Sequence, residues 1–218
     1  MDIVWVFSGL QDQDELEYSV KSVNNISHNR KIVIGDKPLF EADIKHEKPP
    51  IVRWSLLSPH HDVINKLYHA TTLDITDDFI LMNDDFFIMK PTDIPVAHRG
   101  LMSKHINGRG LNDAYTKSLK KTRQYLISKG IEEPLSYELH MPMIFNKKKL
   151  NTLIEGIIPI IKYDSALLTR SLYGNLYNIG GDELADVKNP PEYKDKTFLS
   201  TNNKTFKQEI GQYIRDNL

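Results

Sequence analysis

The feature that most constrains the fold is an alternation of short apolar runs with segments of helical spacing. Ile3 to Phe7, Lys31 to Ile34, Ile51 to Trp54, Phe79 to Met82 and Phe86 to Met89 each have the length and composition of a strand. Between them, Leu16, Val20, Val23 and Ile26, and later Val63, Leu67 and Ala70, repeat every three to four residues, as one face of a helix does. Punctuation supports the division. Ser8-Gly9 closes the first run, Gly35 to Pro38 closes the second, and Pro59 sits where a first helical turn tolerates proline. Asp12, three residues before Glu15, is spaced as a helix cap. Strands interleaved with helices predict an α/β fold, with a mostly parallel central sheet flanked by helices. A chain of 218 residues is long enough to bury a sizeable core in one domain.

The second half reads differently. Pro91 to Gly110 has no periodicity and is expected as a long loop. Leu111 to Lys129 is expected as an amphipathic helix, with Leu111, Tyr115, Leu119, Thr122 and Leu126 inward and Lys117, Lys120, Lys121 and Arg123 making its other side basic. Met141 to Phe145 reads as a strand, and Leu150 to Ile157 as a helix that Pro159 should end. Ala166 to Leu176 reads as another helix, broken at Asn178 to Glu183, and Phe206, Ile210 and Ile214 mark a closing helix.

Composition removes several function classes. The formal net charge is −1, so nothing global favours a polyanion as partner. The chain has no cysteine, which excludes disulfides and thiolate metal sites. No apolar stretch is long enough to span a bilayer, and Met1 to Phe7 lacks the basic stretch of a signal peptide. A cytoplasmic protein without a membrane span is the expectation.

Chemistry concentrates at Asn83-Asp84-Asp85, which interrupts the apolar run of Phe79 to Met82 and Phe86 to Ile88. Adjacent carboxylates beside a core are costly unless compensated. Either the step is a solvated acidic turn, or a divalent cation such as Mg²⁺ or Mn²⁺ sits on it. Strand alternation would put Asn83 and Asp85 on one side, making Asp85 the expected direct ligand with Asp84 second. In parallel α/β sheets, ligands bind beyond the carboxyl ends of strands. Ser8-Gly9 and the acidic step both fall at such ends and are expected to share a crevice.

Other positions carry a structural and a functional reading each. His140 is either a structural residue or, in the crevice, a metal ligand, phosphate ligand or general base. Arg170 is either a surface cation or a phosphate clamp, and Arg99 and Arg109 share that choice. Asp182 after Gly180-Gly181 is either a helix start or a base for an acceptor hydroxyl. His60-His61 are adjacent, so both are not expected to face one site.

Three segments resemble the Stealth family of sugar-phosphate transferases. Asp14 to Val23 is similar to the helix after that family's first strand. Leu81-Met82-Asn83-Asp84-Asp85-Phe86-Phe87 resembles its Asn-Asp-Asp strand, and Glu138-Leu139-His140-Met141-Pro142-Met143-Ile144 its later histidine segment. The resemblance implies a GT-A-like fold that uses a nucleotide-sugar donor, with a UDP-sugar expected, and Mn²⁺ or Mg²⁺. It implies that Asp84, Asp85 and His140 hold the metal, and that Phe7, Ser8, Gly9, Asn83 and Asp84 bind the donor. His140, Asp182 and Arg170 become the expected catalytic groups. Residues 1–90 would form the nucleotide and metal half and residues 91–218 the acceptor half. The first strand ends in Phe7-Ser8-Gly9 where the family carries an acid, which turns the expectation from sugar-1-phosphate transfer toward ordinary glycosyl transfer. The acceptor would offer a hydroxyl. A glycan is expected, and the basic helix around Lys120 would also suit a modified nucleic acid.

Overall fold

The computed structural model describes residues 1–9, 13–110, 113–161 and 166–218. The expected cap at Asp12 and the inward Leu111 lie outside the described residues. The chain opens with strand β1 (Asp2–Phe7) and helix α1 (Asp14–Ser22), followed by strands β2 (Lys31–Gly35) and β3 (Lys45–Glu47). Helix α2 (Pro59–Thr72) leads to β4 (Asp78–Met82) and β5 (Phe86–Ile88). Next come β6 (Ala97–His98), α3 (Met102–Arg109) and α4 (Ala114–Ser128), then β7 (Met143–Asn146) and α5 (Lys147–Ile161). The chain closes with α6 (Thr169–Leu176), β8 (Asp182–Glu183), β9 (Phe198–Ser200) and α7 (Glu209–Asn217).

The central sheet runs β3-β2-β1-β4-β7, parallel except for β7, which pairs antiparallel with β4. Alternation along its strands feeds two cores. Val4, Val6, Ile32, Ile34, Phe79 and Leu81 face one side, packed with Leu67 of α2, Leu119 of α4, Ile154 of α5 and Leu172 of α6. Ile3, Trp5, Phe7, Val33, Ile80 and Met82 face the other, with Leu16 and Val20 of α1. The Trp5 indole N–H donates to Ser19 Oγ at 2.9 Å, so the buried ring keeps a polar partner. β5 leaves the main sheet and pairs antiparallel with β9.

Four departures from the sequence expectations have local causes. Ile51 to Trp54 is not a strand: Ile51 is 74% exposed, and Arg53–Leu57 forms a 3₁₀ turn. Pro49 and Pro50 just before it bring no N–H to a ladder, and the charged Lys45–Glu47 segment takes the sheet edge instead. The stretch after Pro91 contains α3, a helix too short for a clear period, anchored by buried Met102 and His105. α4 begins at Ala114, where Asp113 Oδ1 accepts from the Thr116 N–H at 2.7 Å. α5 continues past Pro159 to Ile161, because Ile157 and Ile161 are buried one turn apart on the same face.

Candidate functional site

A cleft of about 350 Å³ opens at the carboxyl ends of β1 and β4. Val6 and Ser8 line it from β1, Asn83, Asp84 and Phe86 from the turn after β4, and His60 from the start of α2. Tyr115 of α4, Glu138 and His140 before β7, and Thr169 and Arg170 at the start of α6 complete the wall. The cleft therefore draws on residues from both sides of position 90, at the place where parallel α/β sheets bind ligands.

The acidic step is a turn. The Phe86 N–H reaches back to the Asn83 carbonyl at 3.3 Å, with Asp84 and Asp85 at its centre. A turn cancels the alternation expected of a strand, so that Asp84 rather than Asp85 shares the side of Asn83. Asp84 faces the cleft with Asn83. Burial, and then the charge of Asp85, push its carboxyl up to about 6, while Lys188 and Lys66 act against that rise. Asp85 lies behind the turn. Its Oδ2 accepts from Lys188 Nζ at 2.9 Å and from Ser200 Oγ at 3.3 Å, and its buried Oδ1 has no hydrogen-bond partner among the described residues. Nearby, Glu15 Oε1 accepts from Thr201 Oγ1. Burial is the main force raising the Glu15 carboxyl to about 7, the Thr201 bond opposes it, and Asp85 and Asp84 add to the rise.

Behind Ser8 of the cleft wall lies a buried cation not expected from sequence. Lys66, 4% exposed, donates through Nζ to Ser8 Oγ and to Asp62 Oδ2 at 2.5 Å. Gly35 makes its slot. With φ of +129° it adopts backbone that favours glycine, and a Cβ there would lie 2.0 Å from the Phe7 carbonyl oxygen and 2.8 Å from Lys66 Cε.

His140 is clamped by one carboxylate. Its Nδ1 lies 2.8 Å from Asp186 Oδ2 and 3.0 Å from Oδ1, and its backbone N–H donates to Oδ1 at 3.0 Å. Arg99 Nη1 donates to Asp186 Oδ2 at 3.0 Å. Burial alone would raise the Asp186 carboxyl, but the His140 ring and backbone bonds and the charge of Arg99 outweigh it and hold it at about 2. Arg170 donates through Nη1 to the Met141 carbonyl at 2.8 Å and stacks its guanidinium over the Phe86 ring at 5.2 Å. Its Nη2 is shut from solvent and has no hydrogen-bond partner among the described residues. Glu138 Oε1 accepts from the Ser171 N–H at 3.0 Å and hydroxyl at 2.8 Å, which orients the carboxylate in the cleft wall.

The structure thus gathers Ser8, Asn83, Asp84, His140 and Arg170 around one cleft. It does not gather the others. Phe7 packs into the α1-side core, and the Gly9 N–H donates to Asp36 Oδ2 at 3.0 Å. Asp182 starts no helix. Gly180 and Gly181, at φ +66° and +108°, turn the chain into β8, which pairs with β6 and holds Asp182 exposed and away from the cleft lining. His60 faces the cleft while His61 is buried with Nδ1 2.6 Å from Ser58 Oγ, so the two rings diverge. Sequence reasoning missed Lys66, Tyr115, Glu138 and Asp186. For Glu138 a signal existed, because in an extended segment it shares a side with His140 two residues on.

The expected metal set of Asp84, Asp85 and His140 is not assembled. Among the described residues no group of three or more histidines or acids is arranged to hold an ion. Asp85 is engaged by Lys188, and His140 by Asp186. Asp84 does fit a smaller role. A burial-raised carboxylate facing a cleft beside the Asn83 amide suits a divalent ion whose other ligands are diphosphate oxygens and water.

No protein-family model matches the chain, and none of the curated proteins matches it in sequence. The Stealth resemblance of the three segments therefore has no family model behind it. Among solved structures, the crystal structure of an active-site mutant of LgtC, a GT-A glycosyltransferase, matches with a TM-score of 0.52 at 12% identity. The match covers 99% of this chain and 94% of LgtC. It establishes the fold: a mixed α/β domain with a mostly parallel sheet flanked by helices, of the GT-A type. Among the described residues, no helix is long and apolar enough to cross a membrane.

Proposed function

We propose that this protein is a glycosyltransferase that moves a sugar from a nucleotide-sugar donor to an acceptor hydroxyl. The observation that carries the reading is the meeting of Asp84, His140 and Arg170 in one cleft at the carboxyl ends of a GT-A-type sheet. In this reading Ser8, with Lys66 behind it, and Asn83 bind the nucleotide end. Lys66, bonded to both Ser8 and Asp62, holds the Ser8 hydroxyl in place at that end. A divalent cation on Asp84 would neutralise the diphosphate. Arg170 Nη2, buried and without a partner, offers a donor to a phosphate oxygen. His140 takes the proton of the acceptor hydroxyl, whose oxygen attacks the anomeric carbon as the nucleoside diphosphate departs. A glycan hydroxyl is the proposed acceptor.

A second reading, transfer of sugar 1-phosphate, is favoured by that same unpartnered Arg170 Nη2, which would equally steady oxygens on a phosphorus under attack. The nucleotide product separates the two. Purified protein is incubated with a panel of nucleotide sugars, acceptor glycans and Mn²⁺, and the released nucleotide is identified. A nucleoside diphosphate supports glycosyl transfer, and a monophosphate supports the alternative. If no nucleotide sugar is consumed, the transferase reading fails and a non-catalytic nucleotide-binding module takes its place. Turnover unchanged by a chelator would remove the cation from Asp84.

A further inference from the structure

Between β8 and β9 runs a short strap, Asp186 to Asn189, fixed to β9 by the Ser200 N–H on the Val187 carbonyl at 3.1 Å and the Asn189 N–H on the Ser200 carbonyl at 2.8 Å. It reaches the cleft from behind through Asp186. That carboxylate receives four protein groups: the His140 ring and backbone N–H, the Arg99 guanidinium, and the Val187 N–H at 3.0 Å. On its other side the His140 ring meets the Phe86 ring edge-on, with centroids 6.3 Å apart and planes at 80°. The imidazole is thus wedged between a carboxylate and an aromatic ring, and its orientation is not free.

We infer that Asp186 is a positioning residue, which fixes His140 in the tautomer with hydrogen on Nδ1 and presents the Nε2 lone pair to the cleft. The chemistry follows from donor and acceptor inventory. An ionised carboxylate can only accept, so the nitrogen facing it must carry the hydrogen, and in the neutral ring the other nitrogen must be the acceptor. Nε2 is the nitrogen this leaves for the cleft. The catalytic consequence rests on the transferase reading. The acceptor O–H bond breaks and its proton passes to Nε2. The oxygen electron pair forms the new bond to the anomeric carbon, and the bond from that carbon to the diphosphate oxygen breaks, its electrons leaving with the diphosphate. Asp186 keeps its charge throughout and steadies the imidazolium that forms.

Replacing Asp186 by Asn should reverse the tautomer. The Asn carbonyl oxygen would stay with the two backbone N–H donors of His140 and Val187, leaving the amide N–H₂ against Nδ1 and against Arg99 Nη1, which loses its acceptor. Long-range ¹H–¹⁵N spectra of histidine-labelled protein, with the His140 signal assigned by its loss in His140→Gln, read this directly. The wild-type ring is expected with hydrogen on Nδ1, and the Asp186→Asn ring with hydrogen on Nε2. In parallel, kcat is expected to fall about 100-fold or more while the donor KM moves less than about threefold, as loss of correct base geometry does. Wild-type His140 with hydrogen on Nε2 overturns the inference whether or not the variant folds. So does an unchanged tautomer in a folded Asp186→Asn. If the tautomer reverses but wild-type protein consumes no nucleotide sugar, the positioning role stands and the transferase reading falls.

Discussion

Asp84 and Asp85 are neighbours in one turn, yet they live in different chemistry. Asp84 faces the cleft, and among the described residues no cation pairs with it directly: Lys66 and Lys188 act on it through charge. Asp85 faces rearward onto Lys188, beside Glu15 and Thr201. The front acid lines the cleft, and the rear acid is answered by the fold. Sequence spacing predicts both carboxylates at one metal, whereas a single turn places one on the cleft and the other on Lys188.

The comparison breaks most visibly through Asp84→Asn. This change keeps the shape and removes the charge on the cleft side alone. Turnover with nucleotide sugar should fall about 100- to 1000-fold, the scale of losing a central electrostatic contact in an active site. The melting temperature should not fall, because an acid whose carboxyl burial raises to about 6 is costly to ionise at neutral pH. Steady-state kinetics and a thermal melt at pH 7.5 check both. A variant that melts far lower but turns over normally would place Asp84 in the structural class with Asp85.

On the rear side the expected effect is on stability, and its sign follows from Glu15. Its folded carboxyl titrates at about 7 against an ordinary 4.5, mainly through burial. Below the ordinary value both folded and unfolded states hold the proton, and Glu15 contributes no pH dependence. Between the two values the unfolded chain releases its proton while the fold retains it, so stability falls as pH rises. Above about 7 the fold carries the full cost of a buried charge, up to about 3 kcal/mol for a shift of this size. Glu15→Gln keeps an acceptor for Thr201 Oγ1 and removes the titration. Measured by denaturant unfolding in chelator, the variant should gain about 2 kcal/mol over wild type at pH 8 and almost nothing at pH 4. An advantage equal at both values would show that Glu15 is not held neutral by the fold.

What sequence could show about this division follows from local physics. The parallel sheet was legible because Ile3–Phe7 and Phe79–Met82 are apolar on both faces, as strands covered by helices on both sides must be. The cleft was legible because Ser8 and Asn83 end those strands. The orientation of Asp85 was not, since it depends on the Asn83–Phe86 turn replacing strand alternation. Nor was Asp186, which lies 46 residues from His140 with no periodic relation to it. Lys66 reads as an ordinary polar position on α2, and its burial becomes visible once Gly35 is seen to leave it space. The strand at Asp182 was not legible because Gly180-Gly181 suits a helix start and a sharp turn equally well in sequence, and backbone geometry decides between them.

The smallest expected effect sharpens the comparison from the cation's side. Lys188→Met removes the partner of Asp85 and leaves its Oδ2 with Ser200 alone, while Oδ1 already lacks a partner. A fully buried pair broken this way costs several kcal/mol. Here the side chains are 16% exposed for Asp85 and 30% for Lys188, so solvent screens part of the loss and about 1 kcal/mol is expected. Adding Asp85→Asn should restore most of it, since the uncompensated charge goes with its partner, and a double-mutant cycle isolates that coupling. Lys188 also opposes the rise of Glu15, so its loss should push the Glu15 midpoint above about 7 and steepen the fall in stability toward pH 8. Turnover should stay within about threefold of wild type, the range of a contact that does not change between ground and transition states. Because Lys188 also acts on Asp84 through charge, only a hundredfold loss that Asp85→Asn alone reproduces would carry the rear carboxylate into the chemistry.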